Sequence, residues 1–379
     1  MSLSPMTFPD GHVGWRAHDH ATVRAVLSNN RFSIRPDLMH NPFGPGSPGD
    51  APPSPPGAFT DHDPPDHTRY RSRLTGQFTV RRMRLLAERL EAITAEHLDE
   101  LAAQGSPADL VEHFAVPVPG LMICELLGVP YERRTEFQQD AMLLTGASGA
   151  EAGEAEAMFA AFGRLQQFML EMVAAKRAHP TDDLLSDLVN SESADSDAAL
   201  SDDEMATMGM ALLGGGLDTT TNMLSLGTLE LLRDQARVDA MLANPDAAVE
   251  ELLRYISLTP ATARTALEDV EIDGVLVRKG DTVLVELGSA NHDPARYADP
   301  DVLDLARGPG RSGPVGHLAF GHGIHQCIGQ HLARIELKIA FPGLFTRFPK
   351  LRLAVPEDEL PHRASLVIGG LERMPVAWD

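Results

Sequence analysis

The sequence predicts a mainly α protein with a small β region (α+β), a large helical body joined to short antiparallel sheets. Two observations carry this. Apolar residues recur at three- and four-residue spacing through most of the first 256 positions. From Val270 to Val285 the period shortens to two around Asp273-Gly274 and Lys279-Gly280, which predicts hairpin strands.

Taken in order, 15–32 predicts a short strand followed by a helix, with Val23, Val26 and Leu27 on one face. Between Asn41 and Pro65 fall nine prolines, with Gly44, Gly46, Gly49 and Gly57 among them. A loop this long inside a folded chain is either functional or disordered. An amphipathic helix is predicted over 79–103, carrying Leu86, Leu90, Ile93 and Leu101 and ended by Gly105. A second runs over 157–178, with Phe162, Leu165, Met169 and Met172 on one stripe, and the small, acidic stretch 145–156 before it predicts a mobile lid. Leu351, Leu353, Val355, Leu366, Ile368 and Val376 predict a closing set of short strands. No internal repeat is evident.

With 379 residues and 43% hydrophobic composition the chain can bury a large core. Its formal charge of −22 argues against nonspecific nucleic-acid binding, which needs a dense cationic surface. The two cysteines, Cys124 in an apolar helical run and Cys327 far away, do not make a disulfide scaffold, and a reducing cytoplasm fits them. The first residues lack a cationic start with an apolar core, and no stretch approaches the roughly 20 apolar residues of a membrane span. A cytoplasmic protein without membrane or nucleic-acid partners is expected.

The most informative stretch is Phe320-Gly321-His322-Gly323-Ile324-His325-Gln326-Cys327-Ile328-Gly329-Gln330. Glycines around a lone cysteine let the backbone run close to a flat macrocycle and aim amides at the sulfur. Residues 330–339 have helical character, so Cys327 sits just ahead of a helix N-terminus, where the peptide dipole favours thiolate. A thiolate held in this way suits the axial position of a heme iron. Zinc is the competing reading, since His317, His322, His325 and His331 lie nearby, but paired cysteines at zinc spacing are missing.

This stretch is similar to the FGxGxHxCxG signature of the cytochrome P450 family, and the similarity continues through Leu332, Ala333 and Arg334. The resemblance implies the cytochrome P450 fold and a heme b ligated by Cys327, with Phe320 and Gly329 bracketing the ligand loop. A thiolate ligand favours oxygen activation over reversible binding.

A second constellation is Leu213-Gly214-Gly215-Gly216-Leu217-Asp218-Thr219-Thr220-Thr221 inside an otherwise helical run. Three helix-interior glycines cost about 3 kcal/mol relative to alanine, which predicts a local distortion or the close approach of something bulky. Gly215 to Thr220 resembles the family's small-Gly-x-acid-Thr-Thr pattern. That resemblance implies Gly215 and Gly216 against the distal heme face, and Asp218 and Thr219 as the acid and alcohol that relay protons.

Heme propionates need basic donors. His67 and Arg71, four apart in Asp63-Pro64-Pro65-Asp66-His67-Thr68-Arg69-Tyr70-Arg71, share a helical face, and the run resembles the family's propionate-binding helix start. Arg264 and His325 match further donors. Glu251 and Arg254 form the family's ExxR pair, with Arg307 the candidate third member, a structural rather than chemical set.

Because these motifs spread from His67 to Cys327, a single domain over 1–379 is expected. Its implied activity is a heme-thiolate monooxygenase of bacterial secondary metabolism, hydroxylating or epoxidising an apolar small molecule with O2. Electrons would come from a separate ferredoxin and ferredoxin reductase, docking near Arg69, Arg73, Arg81, Arg82 and Arg84. Oxidative coupling, rearrangement, or a heme sensor without turnover are the alternatives.

Overall fold

The computed structural model describes residues 3–77, 80–134, 136–137, 140–141, 152–190, 199–307, 316–363 and 368–379. Two units emerge from it: Met1–Arg69, Asp246–Ile328 and Leu366–Ile368 form one, and Tyr70–Pro245, Gly329–Ser365 and Gly369–Asp379 the other.

The first unit holds most of the β structure. Strands β1 (Leu3–Thr7), β2 (Val13–Ala17), β3 (Phe32–Ser33), β5 (Thr262–Ala266) and β8 (Thr282–Val285) form one sheet in the order β1-β2-β8-β5-β3. The β2–β8 pairing is parallel, with Trp15 opposite Val283, and the other neighbours are antiparallel. Helix α1 (His20–Leu27) starts where the Asp19 carboxylate accepts the Thr22 amide, and it buries Val23, Val26 and Leu27. These pack with Leu3, Ala17, Val283, Val285 and Leu287 in one apolar core.

The Asp273-Gly274 reading holds: β6 (Val270–Ile272) and β7 (Val275–Val277) pair antiparallel across it. Both turn residues take positive φ, 49° and 78°, as a two-residue hairpin requires. The Lys279-Gly280 reading does not hold. That turn does lead into β8, but β8 pairs with β2 and β5 rather than returning on β7. All four β8 residues are buried, so a two-residue alternation does not describe them.

The proline-rich loop is held at several points: Ser47 Oγ donates to Asp10 Oδ2 at 3.0 Å, the Gly49 amide to the Asp37 carbonyl at 2.9 Å and Ser33 Oγ to Asp63 Oδ2 at 2.5 Å, and His40 just ahead of it is fixed as well. The His40 amide donates to Thr282 Oγ1, its Nδ1 lies 2.6 Å from Asp10 Oδ2, and its ring stacks on His12 at 3.7 Å.

In the second unit the helices are α3 (Val80–Gln104), α4 (Pro117–Leu127), α5 (Ala152–Ala178), α6 (Leu184–Asn190), α7 (Asp202–Leu232), α8 (Gln235–Ala243) and α11 (Gln330–Arg347). Helix α7 is the hub, packed against α4, α5 and α11. It begins at a capping box: Ser201 accepts the Glu204 amide and the Glu204 carboxylate accepts the Ser201 amide. Gly227 lets it close on α11, since a Cβ there would lie 2.4 Å from the Phe341 ring.

Helix α3 ends at Gln104 ahead of Gly105 at φ 81°, as expected, while position 79 lies outside the described residues. In α5 the residues Leu165, Met169 and Met172 are buried, but Phe162 is 49% exposed and leaves the expected stripe. Of the predicted lid, 145–151 lies outside the described residues and 152–156 is the start of α5. Near the C-terminus β9 (Arg352–Leu353) and β10 (Pro375–Ala377) join β4 (Ala108–Asp109) in one small sheet. Leu366 lies outside the described residues, and Val355 and Ile368 are in no strand. Among the described residues no helix is long and apolar enough to cross a membrane.

Candidate active site

The cysteine loop is built in the first unit. Its chain turns at Gly321 (φ 68°) and Gly323 (φ 78°), and a Cβ on Gly323 would sit 2.3 Å from the Leu27 carbonyl at the end of α1. Only glycine meets both demands. A short 3-10 turn, Gly323–His325, follows, and the Cys327 amide then donates to the Phe320 carbonyl at 2.9 Å, closing the loop. The Cys327 side chain is exposed, whereas Cys124 is buried and its burial pushes that thiol up to about 12. Arg24 donates from Nη2 to His322 Nε2 at 3.3 Å. Burial, with Arg24 next, holds the His322 pKa below the usual imidazole value. Helix α11 begins at Gln330 behind Gly329, as the sequence predicts.

One basic residue of the same unit, His67, meets this loop at His325. The His67 and His325 rings are 4.2 Å apart, tilted by 51°. His67 sits in the first turn of α2 (Asp66–Thr75), and Arg71 lies one turn further along that helix. Arg264 on β5 is 5% exposed. Its Nη1 donates to the Ala263 carbonyl at 2.7 Å and to Thr262 Oγ1 at 3.2 Å. Among the described residues no carboxylate comes within ion-pairing distance of it. Burial pushes the guanidinium down to about 10, only partly offset by Asp63. A buried cation without a counter-ion is costly unless an anionic group completes it. A heme, which brings two carboxylates, therefore fits the donor set present here, and Cys327 supplies the sulfur.

Glu251, Arg254 and Arg307 form the expected network. Arg254 donates to both Glu251 oxygens at 2.8 and 2.9 Å, and Arg307 Nε donates to Glu251 Oε1 at 3.0 Å. The remaining Arg254 donors reach the carbonyls of Asn291, Pro300 and Val302. Every charge here is answered by protein.

The second half of the motif set lies on α7. The expected distortion at the glycines is absent: α7 is a continuous α-helix from Asp202 to Leu232. Thr219 Oγ1 donates to the Gly215 carbonyl at 2.7 Å, reinforcing the turn that carries the glycines. The three glycines also divide. A Cβ on Gly216 would lie 2.3 Å from Ile123 Cδ1, so α4 explains that glycine, while Gly214 and Gly215 face open space. Asp218 Oδ1 accepts from Arg363 Nη1 at 2.5 Å and from Asn222 Nδ2 at 3.0 Å.

Sequence reading missed Arg363, Asn222 and Glu336. Asn222 was findable, since it stands one turn after Asp218. Arg363 lies 145 residues away, with no local signal. Glu336 sits on α11, and burial pushes its carboxyl up to about 8, opposed by a hydrogen bond with Thr220. One expected docking residue also changes role. Arg82 donates to Asp187 at 2.6 Å and Asp182 at 3.1 Å, so carboxylates neutralise it.

Comparison with known proteins gives a consistent result. The family model for cytochrome P450 matches residues 240–367. Cytochrome P450 105C1 from a Streptomyces species is 44% identical over 98% of this chain and 91% of its own length. Pentalenic acid synthase from Streptomyces avermitilis is 38% identical over 99% and 91%. Among solved structures, CYP105P1 in complex with filipin I superposes with a TM-score of 0.88 at 39% identity, covering 100% of this chain and 93% of that one. With a relative this similar along nearly its whole length, the chain belongs to the cytochrome P450 family of heme monooxygenases.

Proposed function

We propose that residues 1–379 work as one heme-thiolate domain that binds heme b through Cys327. It would insert one oxygen atom of O2 into an apolar small molecule, drawing electrons from a ferredoxin and its reductase. The observation that carries this is the Cys327 thiol, exposed on a glycine-shaped loop whose amide is locked to Phe320. When bound, a thiolate-ligated heme supplies oxygen activation.

The chain's own residues do the rest. Arg264, His325, His67 and Arg71 answer the propionates, and Gly329 opens the helix behind the ligand. Gly215, with open space beyond its Cα, lets a flat ring approach α7; Gly216, packed on Ile123, sets how close α4 lies. Asp218 takes protons from solvent, and Thr219 passes them inward once its hydroxyl leaves the Gly215 carbonyl. A hydroxyl can accept and donate in turn, which a relay requires.

The substrate class proposed is an apolar secondary metabolite of bacteria, supported by the kind of molecule named for the relatives, pentalenic acid and filipin I. A cytoplasmic location accords with Cys124 and Cys327 not being joined in a disulfide. Ferredoxin docking is proposed on Arg69, Arg73, Arg81 and Arg84, without Arg82.

The test is spectroscopic. Reduced protein exposed to carbon monoxide is expected to show the strongly red-shifted band of a thiolate-ligated heme, and Cys327→Ala to lose it. A parent protein without that band refutes the reading. Labelled O2 should appear in product, and its absence would point to coupling or rearrangement instead.

A further inference from the structure

Asp218 is held by a segment far from it in sequence. Arg363 and Gly370 stand opposite each other where the chain doubles back near its end: the Arg363 amide donates to the Gly370 carbonyl at 3.0 Å, and His362 bridges Leu371 next to them. This doubled segment grips one turn of α7 at two points. Gly370 lies so close to Asn222 that a Cβ would overlap its side-chain amide at 1.8 Å, and Arg363 reaches the Asp218 carboxylate.

The grip is unequal across that carboxylate. Oδ1 takes both donors, Arg363 Nη1 at 2.5 Å and Asn222 Nδ2 at 3.0 Å. Oδ2 has no partner among the described residues, and the side chain keeps 17% of its surface in solvent. Asn222, by contrast, is fully buried, and its Nδ2 is pinned as well by the Asp218 carbonyl at 2.9 Å. An anion fixed at one oxygen by a charged and a neutral donor cannot rotate freely.

We propose that Arg363 is a positioning residue which, with Asn222, anchors Asp218 by Oδ1 and so reserves Oδ2 as the oxygen that exchanges protons with solvent. This rests on the reading of Asp218 as the relay acid. In the step itself Oδ2 gains a proton from water and loses it to the Thr219 side. No bond between heavy atoms changes, and the electrons arrive separately from the redox partner.

The test uses holoenzyme with spinach ferredoxin, its reductase and 7-ethoxycoumarin as a probe substrate, comparing Arg363→Gln, Arg363→Lys, Asp218→Asn and the double Asp218→Asn/Arg363→Gln. Arg363→Gln is expected to release about threefold more hydrogen peroxide per NADPH and to raise the solvent isotope effect on product formation, with Arg363→Lys in between. The double variant should be no worse than Asp218→Asn alone, because both act through one oxygen. A crystal structure of Arg363→Gln should show the Asp218 carboxylate rotated, a readout independent of turnover. Should Asp218→Asn itself leave peroxide yield and isotope effect unchanged, the relay reading of Asp218 fails. If Asp218→Asn changes both while Arg363→Gln matches the parent, or if the two effects add in full, Arg363 does not position the acid. A poorly folded Arg363→Gln leaves Arg363→Lys to decide by the same two readouts.

Discussion

Arg254 and Arg264 belong to the same unit and are buried almost equally, 1% and 5% exposed, yet they are answered in opposite ways. Arg254 spends its donors on both oxygens of Glu251 and on three backbone carbonyls, with Arg307 completing the carboxylate from the far side. Arg264 finds one carbonyl and one hydroxyl, and no carboxylate within reach among the described residues. A saturated charge belongs to the frame, while a charge left short of a counter-ion marks where a group from outside completes the protein. The cysteines divide in the same way, Cys124 sealed in the core and Cys327 exposed on its loop.

The largest effect is expected at the saturated member. Arg254→Ala strands Glu251 with half its donors gone and should cost about 3–5 kcal/mol in urea denaturation, with heme content falling as the frame loosens. A loss under about 1 kcal/mol would mean that the network is not what holds this region, and the contrast with Arg264 would lose its anchor.

Glu336 sharpens the comparison, because it is buried like Glu251 but answered by a hydroxyl instead of arginines. Its folded pKa lies near 8, above the ordinary 4.5, so the neutral form suits the folded state. That contribution is complete below about pH 4.5 and fades as pH climbs through about 8. Glu336→Gln cannot ionise and keeps an amide for Thr220. It should match the parent at pH 4 and exceed it at pH 8 by on the order of 2 kcal/mol, read from urea midpoints at the two values. Equal pH slopes in the two proteins would show that Glu336 is ionised in the fold.

Arg264 itself gives a change of opposite sign in two assays. Arg264→Leu removes a buried cation that lacks a carboxylate, so the heme-free protein should gain about 1 kcal/mol. The loaded protein should lose heme about tenfold faster to an apomyoglobin acceptor, since the charged donor proposed for a propionate is missing. Faster heme loss without the gain would still leave Arg264 a propionate donor, whereas a stability loss alone would make it a second Arg254.

How far the sequence spoke for itself follows the range of the forces involved. The Cys327 loop, the Asp273-Gly274 hairpin and the C-terminal end of α3 depend on neighbours within a few residues, and all were legible. The partners of β8 were not, because a fully buried strand shows no alternation and its neighbour β2 lies some 270 residues earlier. Arg363 was invisible for the same reason, its partner Asp218 being 145 residues away. The glycine triplet was misread differently. Its cost was counted as one sum that predicted either a distortion or a close approach; the helix stays regular, Thr219 reinforces that turn, and of the three glycines only Gly216 meets a close neighbour, Ile123.

That misreading yields the smallest prediction, a pair of substitutions one residue apart with identical chemistry. At Gly215 a methyl enters open space, so alanine should add about 1 kcal/mol through helix propensity alone. At Gly216 the same gain is opposed by Ile123, whose Cδ1 and Cγ1 would lie 2.3 and 2.9 Å from the new Cβ. These are the outer atoms of a flexible side chain, so the overpacking cost stays near the low end, roughly 1–2 kcal/mol, and the net change is a loss of about 1 kcal/mol or less. Ile123→Val removes Cδ1 and should recover that loss in the double variant. The decisive comparison is then functional: Gly215→Ala should stabilise the heme-free fold yet weaken heme retention, because the space it fills is the space proposed for the macrocycle. If Gly215→Ala instead stabilised both forms equally, the opening beside Gly215 would be ordinary solvent-facing surface, and Arg264 and Cys327 would have to hold the heme without help from α7.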